Sequence, residues 1–318
     1  MTLPKIDNLR ITKITEDILL VHQIKSPSYF STCDGLLILP KKGRNTKCIV
    51  LDANIEPPLS LALKDKFGSI SEYVFTHGHM DHIANVYGWE QIGANIHGPT
   101  PESSIALDLK NFYEIFGFNE AMDFSLVEEF AEYNRYNSCK SVNSFKPGEK
   151  LKFEGFEIET INFPGHSLSH IGFFLPSEKI LHISCIGFDI HKPGADGFGP
   201  WYGFRNCSIS QYFKDIDLAE RIFLERADLL TSSHAYVVKN PDTTPFSYIR
   251  DKIDKNQEIV DKAVLSLKAT KEHDITTEDL LELDLFFPKK KMRGFLLTIY
   301  TLWESWIIKK HIERSKVI

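Results

Sequence analysis

The sequence predicts an α+β chain, a four-layer stack with two β-sheets inside and helices outside, followed by a helical appendage. Three observations carry this. Short apolar or alternating runs, the mark of strands, come in groups with helical stretches between them and not in strict alternation. After Pro241 only helical periodicity remains, which divides the chain into a domain over 1–240 and a helical region over 241–318. One strand, Tyr73-Val74-Phe75, runs directly into Thr76-His77-Gly78-His79-Met80-Asp81-His82, so polar donors collect at a strand end.

Taken in order, Leu9–Ile14 alternates, Ile18–His22 follows, and Asp34-Gly35 reads as a turn before Leu36–Leu39. Lys47–Asp52 is a buried-type strand closed by a carboxylate. Pro57-Pro58 starts a helix towards Lys66, with Gly68 as its stop. Residues 81–92 read as one helix, Asn95–Gly98 as a short strand, and 101–137 as helical. Strands are expected near 151–154 and 156–162, then two more between Ile171 and Ser184 around Pro176-Ser177-Glu178. A glycine-rich loop ends in Gly199-Pro200-Trp201-Tyr202-Gly203, a helix covers 209–224, and the strand Leu229-Leu230-Thr231 stops at Ser232-Ser233-His234. The tail reads as helices over 244–270, from Thr276, and over 291–312. Its apolar run Phe295–Trp303 is too short to span a bilayer, which needs about 20 residues. Packing is the expected role of this run; the alternative, lying on a membrane surface, would use the flanking lysines.

A net charge of −6 over 318 residues argues against nucleic acid as the principal partner. The start shows no basic segment followed by an apolar core, which predicts a chain without a secretory signal. The cysteines, five in number with no Cys-x-x-Cys pair, then read as reduced thiols of a cytoplasmic protein. Cys185 is set apart below; the other four are assigned to packing or surface.

Three imidazoles and a carboxylate between His77 and His82 are donors suited to a pair of borderline transition metals. Two zinc ions about 3.5–4 Å apart need roughly seven protein donors and a bridging hydroxide, so further donors are expected at neighbouring strand ends. The turn Phe163-Pro164-Gly165-His166 supplies one, and His234 another. His170, one strand step beyond His166, more readily orders the turn than binds metal.

The His-x-His-x-Asp-His run, the Pro-Gly-His turn and the terminal histidine resemble the metallo-β-lactamase superfamily, over about residues 10–240. That resemblance implies an αβ/βα sandwich with the site at the sheet edges. It implies a first metal on His77, His79 and His166 and a second on Asp81, His82 and His234. Asp52 takes the place of a carboxylate that orients the histidine loop without touching metal. The family's metal-bridging aspartate falls on Cys185, within Ser184-Cys185. Three alternatives stay open: Cys185 is a ligand, Asp189 swings in, or neither binds. Histidine at position 79, where iron-binding relatives carry glutamate, favours zinc hydrolysis over oxygen chemistry. The Gly-Pro-Trp-Tyr-Gly loop resembles one found in a branch of unassigned substrate; two alternatives stay open, that Trp201 and Tyr202 wall the substrate pocket with Tyr202 donating to a carbonyl, or that the loop is rigid and its aromatics pack the core. The tail weakly resembles helical appendages of glyoxalase II-like and RNA-cleaving members, with a winged-helix-like form as one variant.

By this resemblance the chain is a hydrolase with two zinc ions. A metal-bound hydroxide would cleave a small ester, thioester or lactone, and Asp81 would orient the nucleophile and pass a proton to the leaving group. The runner-up is an RNA or nucleotide phosphodiesterase. A third reading is a one-metal binder without turnover. A small-molecule substrate is the expected partner, and a homodimer is compatible with the sequence.

Overall fold

The computed structural model describes residues 3–28, 30–40, 47–153, 155–187, 200–234, 236–271 and 274–315. Within these, one seven-stranded sheet runs in sequence order: β1 (Leu9–Lys13), β2 (Ile18–Gln23), β3 (Gly35–Ile38), β4 (Cys48–Leu51), β5 (Ile70–Val74), β6 (Asn95–Pro99) and β7 (Asn143–Phe145). Its first four strands form an antiparallel meander, and β4 to β7 are parallel. Parallel neighbours need crossovers. These are α1 (Pro57–Phe67), then α2 (Met80–Ile83) with α3 (Val86–Gln91), then α4 (Leu109–Ile115) with α5 (Phe124–Tyr133).

The second sheet holds β8 (Lys150–Phe153), β9 (Phe156–Asn162), β10 (Ile171–Leu175), β11 (Ile180–His182), β12 (Leu229–Thr231) and β13 (Val237–Lys239). All its pairs are antiparallel except β11 with β12, which α6 (Ile209–Arg226) connects.

Alternating side chains sort the strands into layers. Ile18 and Leu20 of β2 join Ile158, Ile171 and Phe173 of the other sheet in the core between the sheets. Leu19 and Val21, one step out of phase, face the helices. The result is the expected α+β sandwich, helices outside and sheets inside.

The tail consists of α7 (Thr244–Lys268), α8 (Thr277–Leu281) and α9 (Gly294–Arg314). Thr276 starts α8 with a capping box closed by Asp279. Among the described residues beyond Lys239 there is no strand. The tail has a small core of its own around Val260, Val264, Leu280 and Ile308. It also enters the main one: Trp303 of α9 meets Trp201, Phe30, Phe130 and Phe204 edge to face, with ring centroids 5.1–5.8 Å apart. Among the described residues no helix is long and apolar enough to cross a membrane.

The expected single helix over 81–92 is broken in two. Asn85 leaves the helical hydrogen-bond pattern because its N–H donates to Asn54 Oδ1 (2.9 Å) and its amide to the Ser31 carbonyl. That break fixes the end of the histidine loop.

Candidate metal centre

Strand ends from both sheets meet at one edge of the sandwich. β4 stops at Asp52, β5 runs into residues 76–82, the β9–β10 turn carries His166, β11 leads to Ser184-Cys185 and β12 to Ser232–His234. Gly165 allows that turn to lie against α6, since a Cβ there would stand 2.4 Å from the Tyr212 nitrogen. Asp215 of α6 accepts from the Gly165 N–H at 2.6 Å.

The donor atoms of His77, His79 and His166 lie within 4.8 Å of one another. His166 Nδ1 is 2.8 Å from the Trp201 carbonyl, which can only accept, so Nδ1 carries the proton and Nε2 offers a lone pair. That Nε2 is 3.1 Å from His77 Nε2. His79 Nε2 is buried without a hydrogen-bond partner. Burial, and then the surrounding imidazoles, push all three well below the usual histidine range, so they are neutral. Neutral nitrogens crowded together, one of them with no donor to meet, are a poor hydrogen-bond arrangement and a good cation site. The donor set fits a metal.

Asp81, Cys185 and His234 form a second group within the same limit, and His77, His82 and Cys185 a third. Cys185 joins them: its sulfur is 3.0 Å from His82 Nε2 and 3.2 Å from His234 Nε2. Burial pushes the thiol up to about 11 and His234 down to about 3. A bound dication reverses that for sulfur, because a coordinating thiol is deprotonated. His77, His79, His82, His166 and Cys185 are buried, whereas Asp81 and His234 are partly exposed, which puts the mouth of the centre on their side. The structure thus gathers all seven sequence-selected donors at one place. Asp189 lies outside the described residues.

Asp52 is fully buried beneath this group. Its backbone is left-handed (φ 63°), a conformation Asp tolerates better than most residues. Its carboxylate accepts from the Thr76 N–H (3.0 Å), His82 Nδ1 (2.9 Å), Ser184 Oγ (3.0 Å) and Ser233 Oγ (2.6 Å). Burial alone would raise its pKa, but His82 and His182 beside it hold it well below the usual carboxylate range. For His82, burial opposes charging, yet Asp52, Cys185, Cys33 and Asp81 lift it well above the ordinary value. One carboxylate therefore ties together the loops that bear His77, His82, Cys185 and His234.

Three contributors, Glu102, Cys33 and Asp215, escape a sequence reading, while His170 takes the turn-ordering place expected of it. Glu102, fully buried in the β6–α4 connection, accepts from the Gly78 N–H (2.8 Å), Ser167 Oγ (3.0 Å) and Ser169 N–H (3.0 Å). His170 donates through Nδ1 to the Phe163 carbonyl (3.1 Å) and accepts through Nε2 from the Cys185 N–H (3.3 Å). With both nitrogens in use, it holds the Pro-Gly-His turn and aims Cys185. Cys33, expected only to pack, gives its S–H to the Asp52 carbonyl (2.9 Å) and lies 3.3 Å from His82 Nδ1. Asp215 supports the turn as described above. Cys33, Glu102 and Asp215 lie 19 or more positions from the backbone groups they meet, so no local motif announces them.

Trp201 and Tyr202 are buried and line a cavity of about 460 Å³ shared with Asn256, Phe286, Phe287 and Ile307 of the tail; none of the seven donors lines it. The Tyr202 hydroxyl accepts from Asn256 (2.7 Å) and sits 3.0 Å from His311 Nε2, while His311 Nδ1 faces Gln257 Oε1 at 2.8 Å. Burial lowers His311 to about 4, so it is neutral, with its proton on Nδ1 and Nε2 accepting from Tyr202. The Tyr202 proton is thereby directed to the tail, the packing alternative of the two left open for this loop. Trp201 serves the centre through its backbone oxygen on His166.

No family profile matches the chain. Solved structures resemble nearly all of it. A metallo-β-lactamase family protein from Thermus thermophilus superimposes with a TM-score of 0.60 at 15% identity, covering 97% of this chain and 94% of that one. A β-lactamase domain protein from Burkholderia ambifaria gives 0.61 at 14% identity, covering 96% and 87%. The chain has the metallo-β-lactamase fold. Curated relatives match the chain in part: a hydroxyacylglutathione hydrolase of Haemophilus influenzae is 32% identical over 116 residues, 34% of this chain and 45% of that protein. One from Rhizobium meliloti is 26% identical over 132 residues, 41% and 39% of the two chains. The chain thus spans less than half the length of these curated relatives. In the metallo-β-lactamase fold described here, the strand-end edge and the candidate metal donors coincide.

Proposed function

We propose that this chain is a zinc-dependent hydrolase of a small ester, thioester or lactone, with thioesters favoured. The observation that carries the proposal is the pair of neighbouring donor groups, His77, His79 and His166 on one side and Asp81, Cys185 and His234 on the other, linked through His77, His82 and Cys185 on the strand-end edge of a metallo-β-lactamase fold. The preference for thioesters rests on the named relatives, which are hydroxyacylglutathione hydrolases.

His77, His79 and His166 would hold one zinc, and Asp81, His82, Cys185 and His234 the other. When bound, the metals supply acidified water and a polarised carbonyl. The chain's own residues do the rest. Trp201 and Thr76 fix the tautomers and tilt of His166 and His77, whose Nδ1 lies 3.0 Å from Thr76 Oγ1. Asn54 holds the Asp81 backbone carbonyl, which aims that carboxylate towards the mouth. Asp81, raised by burial and partly exposed, is placed to orient the nucleophile and hand a proton to the leaving group.

Zinc-loaded protein should turn over a thioester such as a hydroxyacylglutathione when tested beside a lactone, a β-lactam and a phosphodiester. His79→Ala should abolish it. Cleavage of the phosphodiester alone would replace this proposal with the nucleotide reading. One metal per chain and no turnover across the panel would leave a binder.

A further inference from the structure

The three-histidine group is gripped from behind by one side chain whose charge nothing in the described residues answers. Glu102 is fully buried, and its three partners are an N–H, a hydroxyl and an N–H, all neutral. Among the described residues no cation reaches it. Asp52, by comparison, faces His82 and His182. Each Glu102 partner neighbours a candidate ligand: Gly78 lies between His77 and His79, Ser167 follows His166, and Ser169 closes the same turn. The approach is built in, since a Cβ on Gly78 would stand 2.5 Å from Ile105 Cδ1 and 3.1 Å from Glu102 Cβ. A buried carboxylate without a countercharge is costly, and hydrogen bonds from neutral groups offset only part of that cost.

We propose that Glu102 is the countercharge of the first metal: its carboxylate is retained because a dication on His77, His79 and His166 completes the charge balance. Glu102 would thus set the affinity of that site as well as the placing of its two loops. The proposal rests on reading the three histidines as a metal site.

The test measures zinc affinity by competition with a chromophoric chelator, alongside metal-free melting and Co(II) spectra. In Glu102→Gln, affinity for one of the two metals should fall about 10–100-fold, the range for losing an outer partner of a metal ligand. The sulfur-to-cobalt band from Cys185 should persist, and the metal-free melting point should be no lower than in the parent protein. Ser167→Ala, which removes one hydrogen bond and keeps the charge, should lose clearly less affinity than Glu102→Gln does. Unchanged affinity in Glu102→Gln would overturn the proposal. So would an equal loss in Ser167→Ala, or a loss matched by metal-free destabilisation, because either would reduce Glu102 to a structural clamp. If the parent protein binds no metal, the reading of the site itself fails.

Discussion

The two donor groups at the strand-end edge are backed in opposite ways. Behind His82, Cys185 and His234 lies Asp52, a carboxylate answered by histidines and by the hydroxyls of Thr76, Ser184 and Ser233. Behind His77, His79 and His166 lies Glu102, held only by neutral donors. One side of the centre is electrically closed by the protein, and the other is left open. The difference teaches that burial and hydrogen bonding do not by themselves say whether a carboxylate serves folding or binding; the identity of its partners does.

The sharpest way to break that contrast is Asp52→Ala. It strands His82, Thr76, Ser184 and Ser233 in the interior, and removing one member of a buried charged pair typically costs about 3–5 kcal/mol. Metal-free melting should register this loss. An unchanged melting point would mean the Asp52 network is not what closes that side.

Cys185→Ser acts next, on the second group alone. It should erase the sulfur-to-cobalt band and weaken one metal, with the three-histidine site still filled. A band that survives would assign the sulfur to Cys33 or another thiol.

Asp215→Asn gives the smallest effect and tests the scaffold common to both. Burial pushes Asp215 up to about 6, against hydrogen bonds from Gln211 and Gly165 that lower it. A carboxyl raised in the folded state contributes fully below the unfolded value, about 3.9, and loses that contribution as pH rises through about 6. At pH 8 the neutral amide should therefore be the more stable by roughly 2–3 kcal/mol, with the gap closing by about pH 4. A gap of equal size at both pH values would contradict this account of Asp215.

Much of this was legible in the sequence because it is local. Alternation in Ile18–His22 and the apolar run before Asp52 declare strands, and His-x-His-x-Asp-His declares donors at a strand end. The strands β7 and β13 escape because three residues of mixed polarity carry no period. The helix break at Asn85 escapes because its cause lies at Ser31 and Asn54. Glu102 escapes for the same reason on a larger scale: its partners stand 24, 65 and 67 positions away. The sequence leaves Tyr202 open between pocket wall and packing because an aromatic beside a site motif gives no sign of which way it faces, and the tail that meets its hydroxyl begins only after Pro241.

The edge-to-face contact of Trp303 with Trp201 has a consequence for how this chain can be cut or extended. Trp201 gives His166 its proton acceptor, so the last long helix works as a buttress for a histidine far upstream. Shortening the chain before α9 would uncover the rings of Phe30, Phe130 and Phe204 and remove the support behind that carbonyl. A fusion partner is better joined after Arg314 than placed at Pro241, although the sequence changes character there.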